Sequence, residues 1–283
     1  GDMGADVIKV ESGTGDTLRQ NGQGRNPGMG PMFLQMNRSK RSIVLELKTP
    51  AGHQALLDIL SGADVFVFNL RPKSMARLKL SYEDVAAVNP AIIYCGMRGF
   101  GEGGPYADKA AYDDMIQGAS GIAALAGMAD GGEPRYTPSS LTDRIAGMTA
   151  VYSVLAALYH RERTGEGQAL VVPMFERMAE FVLSDHLYGC IFDPPVGGFG
   201  YPRQLTPGRR PYKTKDGYIS VLPYINKHWE SFFEMIDQPE LMDDPRFKDL
   251  ASRTEHIGEV YQILADALLE KTTGEWLPLL EDA

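Results

Sequence analysis

Asp143 stands at the mouth of a long apolar helical pattern in "TPSSLTDRIAGMTAVYSVLAALYHRERTGEGQ", residues 137–168. A carboxylate in that place has two uses. It can cap the helix, because its oxygens accept from free backbone N–H groups and its charge suits the positive end of the helix dipole. It can also act as a nucleophile, because a carboxylate can take up an acyl group and release it again. From this stretch alone capping is the default, and the rest of the chain has to decide.

Other chemistry is sparse. His53, His160, His186, His228 and His256 show no pair four residues apart and no cysteine partner, so no metal site is expected. Neither a GxSxG elbow nor a Walker A sequence occurs. "GFGEGG" (99–104) matches the glycine pattern of a dinucleotide loop and follows a strand-like run. Pro105 comes next, however, and no helical pattern opens there, so a tight turn is expected rather than a nicotinamide site. Arg19, Lys48, Arg71 and Arg77 lie at or just beyond the ends of the early strand-like runs. Each alone reads equally well as solvated charge. Together they point to an anionic, phosphate-bearing ligand, since parallel sheets bind ligands at strand carboxyl ends.

Positioning these groups requires a sizeable fold. Short β-branched runs, "ADVIKVE" (5–11), "RSIVLEL" (41–47), "DVFVFNL" (64–70), "AIIYCGM" (91–97) and "QALVVPM" (168–174), alternate with helical patterns at 49–63, 81–89 and from Thr142 to about Arg163. Alternation of this kind predicts an α/β fold with a mainly parallel sheet. Beyond about residue 190 the text turns Gly- and Pro-rich, then gives a strand "YISVLP" and helices "NKHWESFFEMID" and "EHIGEVYQILADALLEKT", a smaller α+β unit. The expected division is a large α/β domain over 1–190, a linker over 191–211 and a small domain over 212–283.

Composition narrows the function classes. With 283 residues and 43% hydrophobic content the chain can bury real cores. A net charge of −9 argues against a nucleic-acid binder. No apolar run reaches the roughly 18 residues of a membrane span, and no signal-peptide pattern opens the chain. Cys95 and Cys190 are the only cysteines, far apart and in apolar or Gly-rich surroundings, which predicts free buried thiols and a reducing cytoplasmic location. Both ends read as cut, so a fragment is expected.

The ordered segments "GADVIKVE", "NRSKRSIVLELKTPAG", "NLRPKSMARLKLSYEDVAAVNPAIIYCGMRGFGEGGPY", "AYDDMIQGASG" and "LAALYHRERTGEGQ" closely resemble the class III (CaiB/BaiF-type) coenzyme A-transferases, the family of formyl-CoA transferase and carnitine CoA-transferase. The match is dense over residues 1–190 and looser beyond. The resemblance implies an α/β fold with a Rossmann-like large domain and a smaller α+β domain, in an interlocked homodimer. It implies coenzyme A as substrate and product, no metal, and an acyl-CoA and a small carboxylic acid as partners.

Residue by residue, the resemblance places the catalytic aspartate on Asp143 of "SLTDRIAG". It places CoA contacts on Arg19, on Leu45, Glu46, Leu47 and Lys48, on Asn69, Leu70 and Arg71, on Arg77, and on Ala110, Ala111, Tyr112 and Asp113. Backbone amides near the helix start are expected to stabilise oxyanions, and the helix dipole to keep Asp143 ionised. The family's N-terminal segment is absent from this sequence, and "GGFGYPRQLTPGRRPY" replaces its glycine-rich acceptor loop. Racemases of the same superfamily pair the aspartate with a histidine. Tyr112 stands in that place here and is a poor base near neutral pH, so transfer is expected over racemisation. A non-catalytic CoA-binding subunit is the remaining alternative.

Overall fold

The computed structural model describes residues 1–281. Its elements run β1 (Val7–Glu11), α1 (Pro31–Met36), β2 (Lys40–Val44), α2 (Pro50–Ser61), β3 (Val65–Phe68), α3 (Pro72–Arg77), α4 (Tyr82–Ala86), β4 (Ile93–Arg98), α5 (Asp113–Ala119), α6 (Ile122–Asp130), α7 (Leu141–Thr164), β5 (Gln168–Pro173), α8 (Met174–His186), β6 (Tyr212–Lys213), β7 (Tyr218–Ile219), α9 (Asn226–Met235), α10 (Leu250–Glu255), α11 (Ile257–Leu268) and α12 (Thr273–Glu281). The expected mixed α/β character is present. All five strands before α8 pair in parallel, as β1–β2 and as β3–β4–β5. The chain divides into two compact units, one of residues 1–109 with 146–173 and one of 110–145 with 174 onward.

In the first unit α2 and α4 start where their caps dictate. Thr49 accepts from the Gly52 amide at 3.1 Å with Pro50 behind it, and Ser81 and Asp84 form a reciprocal capping box. Gly52 is required by space: a Cβ there would lie 2.2 Å from the Glu46 carbonyl oxygen. Leu56, Leu60, Met75, Leu80, Val85, Ile92 and Tyr94 make the core, and Leu45, Leu47, Phe66 and Phe68 pack against it. The ends of β2 and β3 therefore rest on the same apolar mass. The "GFGEGG" segment is loop after β4, with Gly103 at φ +77° and no helix before Asp113, as expected of a turn.

In the second unit the strand expected over "YISVLP" shrinks to an antiparallel hairpin of β6 and β7, two residues each. Pro223 has no N–H for a ladder. The hairpin lies on a core that includes Trp229, Phe232, Phe233, Phe247, Tyr261, Leu264 and Trp276. Residues 192–211 form no helix or strand but are tied back: the Val196 amide donates to the Gly189 carbonyl, the Gly200 amide to the His186 carbonyl and the Tyr201 amide to His186 Nδ1. Gly189 lets the loop close, since a Cβ there would meet the Gly197 Cα at 2.5 Å. Cys95 is buried and free, and Cys190 is half-buried and free.

Candidate active site

Asp143 is not the cap of its helix. It is the third residue of α7, and the capping carboxylate belongs to Asp113, the first residue of α5. Asp113 Oδ1 accepts from the Thr142 amide (2.8 Å), the Thr142 hydroxyl (2.8 Å) and the Asp143 amide (3.0 Å). Its Oδ2 accepts from Gln117 Nε2 at 2.6 Å. Gln117 is fully buried, and its Oε1 accepts from the Thr137 amide, which fixes the chain leading into α7.

Two carboxylates thus share one corner in opposite states. Asp113 lies below its ordinary value, because the hydrogen bonds from Gln117, Asp143 and Thr142 outweigh the burial that opposes them. Asp143 is pushed up, first by desolvation and then by the Asp113 charge, with Arg144 opposing weakly. No described residue donates a hydrogen bond to the Asp143 carboxylate. The helix terminus is not what acts on the Asp143 carboxyl: Asp113 takes the first-turn amides, and the Asp143 value moves up rather than down. Environments that drive two neighbouring carboxyls apart are a mark of assigned chemical roles.

The expected oxyanion site at the helix start is likewise corrected. The Leu141 amide donates to the Ser139 carbonyl, and the Thr142 and Asp143 amides donate to Asp113. The first-turn donors are committed, so they offer nothing to a developing oxyanion.

The residues singled out for CoA fall into distinct settings. Arg19 is tied down: its Nε and Nη2 each lie 2.7 Å from a Glu11 carboxylate oxygen, its Nη1 reaches the Gly28 carbonyl, and its guanidinium stacks 3.8 Å from the Phe33 ring. Glu11 is buried and held to about 2, chiefly by Arg19. Lys48, Arg71 and Arg77 are exposed, and none forms an ion pair among the described residues. Lys48 follows β2, Arg71 precedes α3 and Arg77 ends it. Asn69 and Leu70 are exposed just beyond β3, Glu46 is exposed beyond β2, and Leu45 and Leu47 turn into the core. Ala110 and Ala111 lie in the loop before α5, and Tyr112 is exposed at its N-terminus. Among the described residues no three His, Cys, Asp or Glu side chains gather as a metal site.

Sequence reasoning missed the roles of Asp113, Thr142 and Gln117 around Asp143. The only local signal is the four-residue spacing of Asp113 and Gln117 within "YDDMIQ".

The model of CoA-transferase family III matches residues 1–283. A probable fatty acyl-CoA transferase of Mycobacterium tuberculosis is 33% identical over 99% of this chain and 74% of its own length. The crystal structure of that protein superimposes with a TM-score of 0.83 at 31% identity, over 99% of this chain and 75% of the other. Succinyl-CoA:glutarate CoA-transferase of Mus musculus is 31% identical over 99% of this chain, which spans 64% of that protein. With the parallel α/β fold and the whole-length match, the chain belongs to CoA-transferase family III.

Proposed function

We propose that this protein transfers coenzyme A from an acyl-CoA to a small carboxylic acid, with Asp143 as the nucleophile. The observation that carries this reading is the exposed Asp143 carboxylate, to which no described residue donates, beside the Asp113 carboxylate saturated by Gln117, Thr142 and the Asp143 amide. A carboxylate stripped of hydrogen-bond donors is more basic and more reactive toward a carbonyl carbon.

The steps balance as two exchanges. An Asp143 oxygen attacks the thioester carbonyl, the C–S bond breaks, and a mixed anhydride and CoA thiolate result. The thiolate attacks the aspartyl carbonyl and expels the donor acid, leaving Asp143 as a CoA thioester. The acceptor carboxylate attacks that thioester, forming a second anhydride and thiolate. Attack of the thiolate on the acceptor carbonyl then releases the new acyl-CoA and regenerates Asp143. Splitting the exchange in this way replaces one difficult displacement by several easier ones.

Lys48, Arg71 and Arg77, exposed at the carboxyl ends of β2 and β3 or on α3, suit the phosphates of CoA. The expected interlocked homodimer is part of the same proposal. Met148, Val151, Tyr152, Leu155 and Tyr159 are exposed along α7 at helical spacing, an apolar stripe that a second copy would cover. The large CoA-binding domain, the linker and the small domain read from the composition, the Rossmann-like character implied by the resemblance, and the cytoplasmic location read from the cysteines belong to the same proposal.

The test is to incubate full-length protein with an acyl-CoA and a labelled acceptor acid, and to trap with hydroxylamine. A hydroxamate on Asp143 and label in the CoA ester are expected. Transfer without any adduct on Asp143 would overturn the assignment.

A further inference from the structure

Two arginines of the second unit are almost withdrawn from solvent, Arg203 at 6% and Arg253 at 3% exposure. Among the described residues neither forms an ion pair with a carboxylate. Arg203 makes one long hydrogen bond, from Nη2 to the Tyr261 hydroxyl at 3.4 Å, and its guanidinium carbon lies 4.8 Å from the Tyr224 ring centroid. Its Nε and Nη1 donate to no described residue. Arg253 donates from Nη1 to Asn226 Oδ1 (2.9 Å) and the Phe247 carbonyl (2.8 Å), and from Nη2 to the Tyr224 carbonyl (3.5 Å). Its Nε is buried without a partner.

Tyr224 joins the two cations, with its ring against Arg203 and its carbonyl accepting from Arg253. Burial first, and then the Arg203 charge, push Arg253 below its usual value. Asp249 opposes this, but its carboxylate is committed to the Ser252 amide as the cap of α10. The Tyr201 phenol, raised chiefly by burial, has Arg203, Tyr224 and Tyr261 as electrostatic neighbours. Buried charges in proteins are ordinarily paired, and two like charges together make the need greater. Stacking on Tyr224 accounts for one face of Arg203 and leaves the edge of its donor fork unused.

We propose that the Arg203 guanidinium, with Arg253 behind it and the Tyr261 hydroxyl beside it, is a binding site for a small carboxylate anion. The planar fork of an arginine takes a carboxylate through two parallel N–H···O bonds, and the Tyr261 phenol supplies a further donor. A monocarboxylate offsets one of the two positive charges and a dicarboxylate offsets both, so dicarboxylates bind more tightly. The choice of a carboxylate over other anions rests on the CoA-transfer reading, in which a free acid is a substrate.

The experiment is calorimetric titration of full-length protein, without CoA, using glutarate, acetate and inorganic phosphate as probes. Wild type and Asp143→Ala are expected to bind glutarate equally, and Arg203→Gln roughly tenfold or more weakly, the loss of one charged hydrogen-bonded contact. Arg203→Lys falls between them, and acetate binds wild type more weakly than glutarate. Undiminished glutarate binding in Arg203→Gln would overturn the site, as would no glutarate binding to wild type or tighter binding of phosphate. Dissociation of an oligomer by Arg203→Gln, in a wild type that takes no glutarate, would assign the arginine to a partner's acidic side chain and also overturn it. Should Arg203→Gln not fold, Tyr261→Phe removes the hydroxyl that holds Nη2. Glutarate binding unchanged in that variant counts against the proposal. Failure of the transfer reading shows elsewhere, as transfer activity that survives in Asp143→Ala.

Discussion

Asp113 Oδ1 lies 3.0 Å from the backbone nitrogen of Asp143, so the carboxylate that caps α7 comes from 30 residues upstream and leaves the Asp143 side chain unencumbered. Cap and candidate nucleophile are different residues. Each can therefore be altered with a distinct expected result.

Asp113→Asn keeps an oxygen for the Thr142 and Asp143 amides and removes a charge. Desolvation is the larger cause of the raised Asp143 value and stays, while the Asp113 contribution goes. The Asp143 pKa then falls, and the acid limb of the pH–kcat profile for CoA transfer moves to lower pH. A profile that does not move counts against the coupling. Asp113→Ala also loses the cap, at a cost of about 0.5–2 kcal/mol in urea unfolding.

Asp143→Ala is expected to abolish transfer with little change in thermal stability, because it removes no cap and no hydrogen bond made by that side chain. A raised folded-state pKa means that ionised Asp143 disfavours folding as pH rises above the ordinary carboxylate range. The variant should be as stable as wild type near neutral pH, or slightly more stable. Substantial residual transfer would remove Asp143 from its assigned role.

The four cations are expected to separate into two classes. Neutralising Lys48, Arg71 or Arg77 raises the KM for acyl-CoA more than it lowers kcat, since phosphate contacts serve ground and transition states alike. Arg19→Gln instead strands the buried Glu11 carboxylate and lowers stability. Steady-state kinetics beside denaturant melts make the comparison. An Arg19 variant with full stability and a raised KM would return Arg19 to the phosphate site.

Acid stability follows from the same pair. Glu11 drops from 4.5 in its ordinary state to about 2 in the fold, chiefly through Arg19 and with Ser42 assisting. A depressed carboxyl contributes stability that is present above about 4.5 and is lost as pH falls toward 2. Urea midpoints measured across that window should decline in wild type and be flatter in Glu11→Gln.

Leu155→Glu places a charge in the middle of the exposed α7 stripe. Light scattering should show the full-length variant shifted toward monomer, whereas an unchanged mass would leave the stripe without its proposed role.

The parallel strands were legible because each is a short apolar run bounded by turn chemistry, and all five start within two residues of the expected position. The start of α2 was legible in Thr49-Pro50, and that of α4 in Ser81 with Asp84, since a cap acts within one turn. Asp143 could be picked out because its surrounding words resemble a family. What that carboxylate is bonded to could not be read. The competition for the amides of α7 is won by Asp113, and apart from Gln117 four residues on, nothing local distinguishes Asp113 from the exposed Asp114 beside it. The same limit hid the engagement of Arg19 with Glu11, which appeared only as one basic residue among four. It also hid Arg203 and Arg253, 50 positions apart by their numbers, which share a buried corner without a counter-ion among the described residues. Caps, strands and turns are set by neighbours in sequence, so they are written in the sequence. The charge state of a side chain is set by burial and by partners that only the folded chain brings near, and the tertiary structure alone decides it.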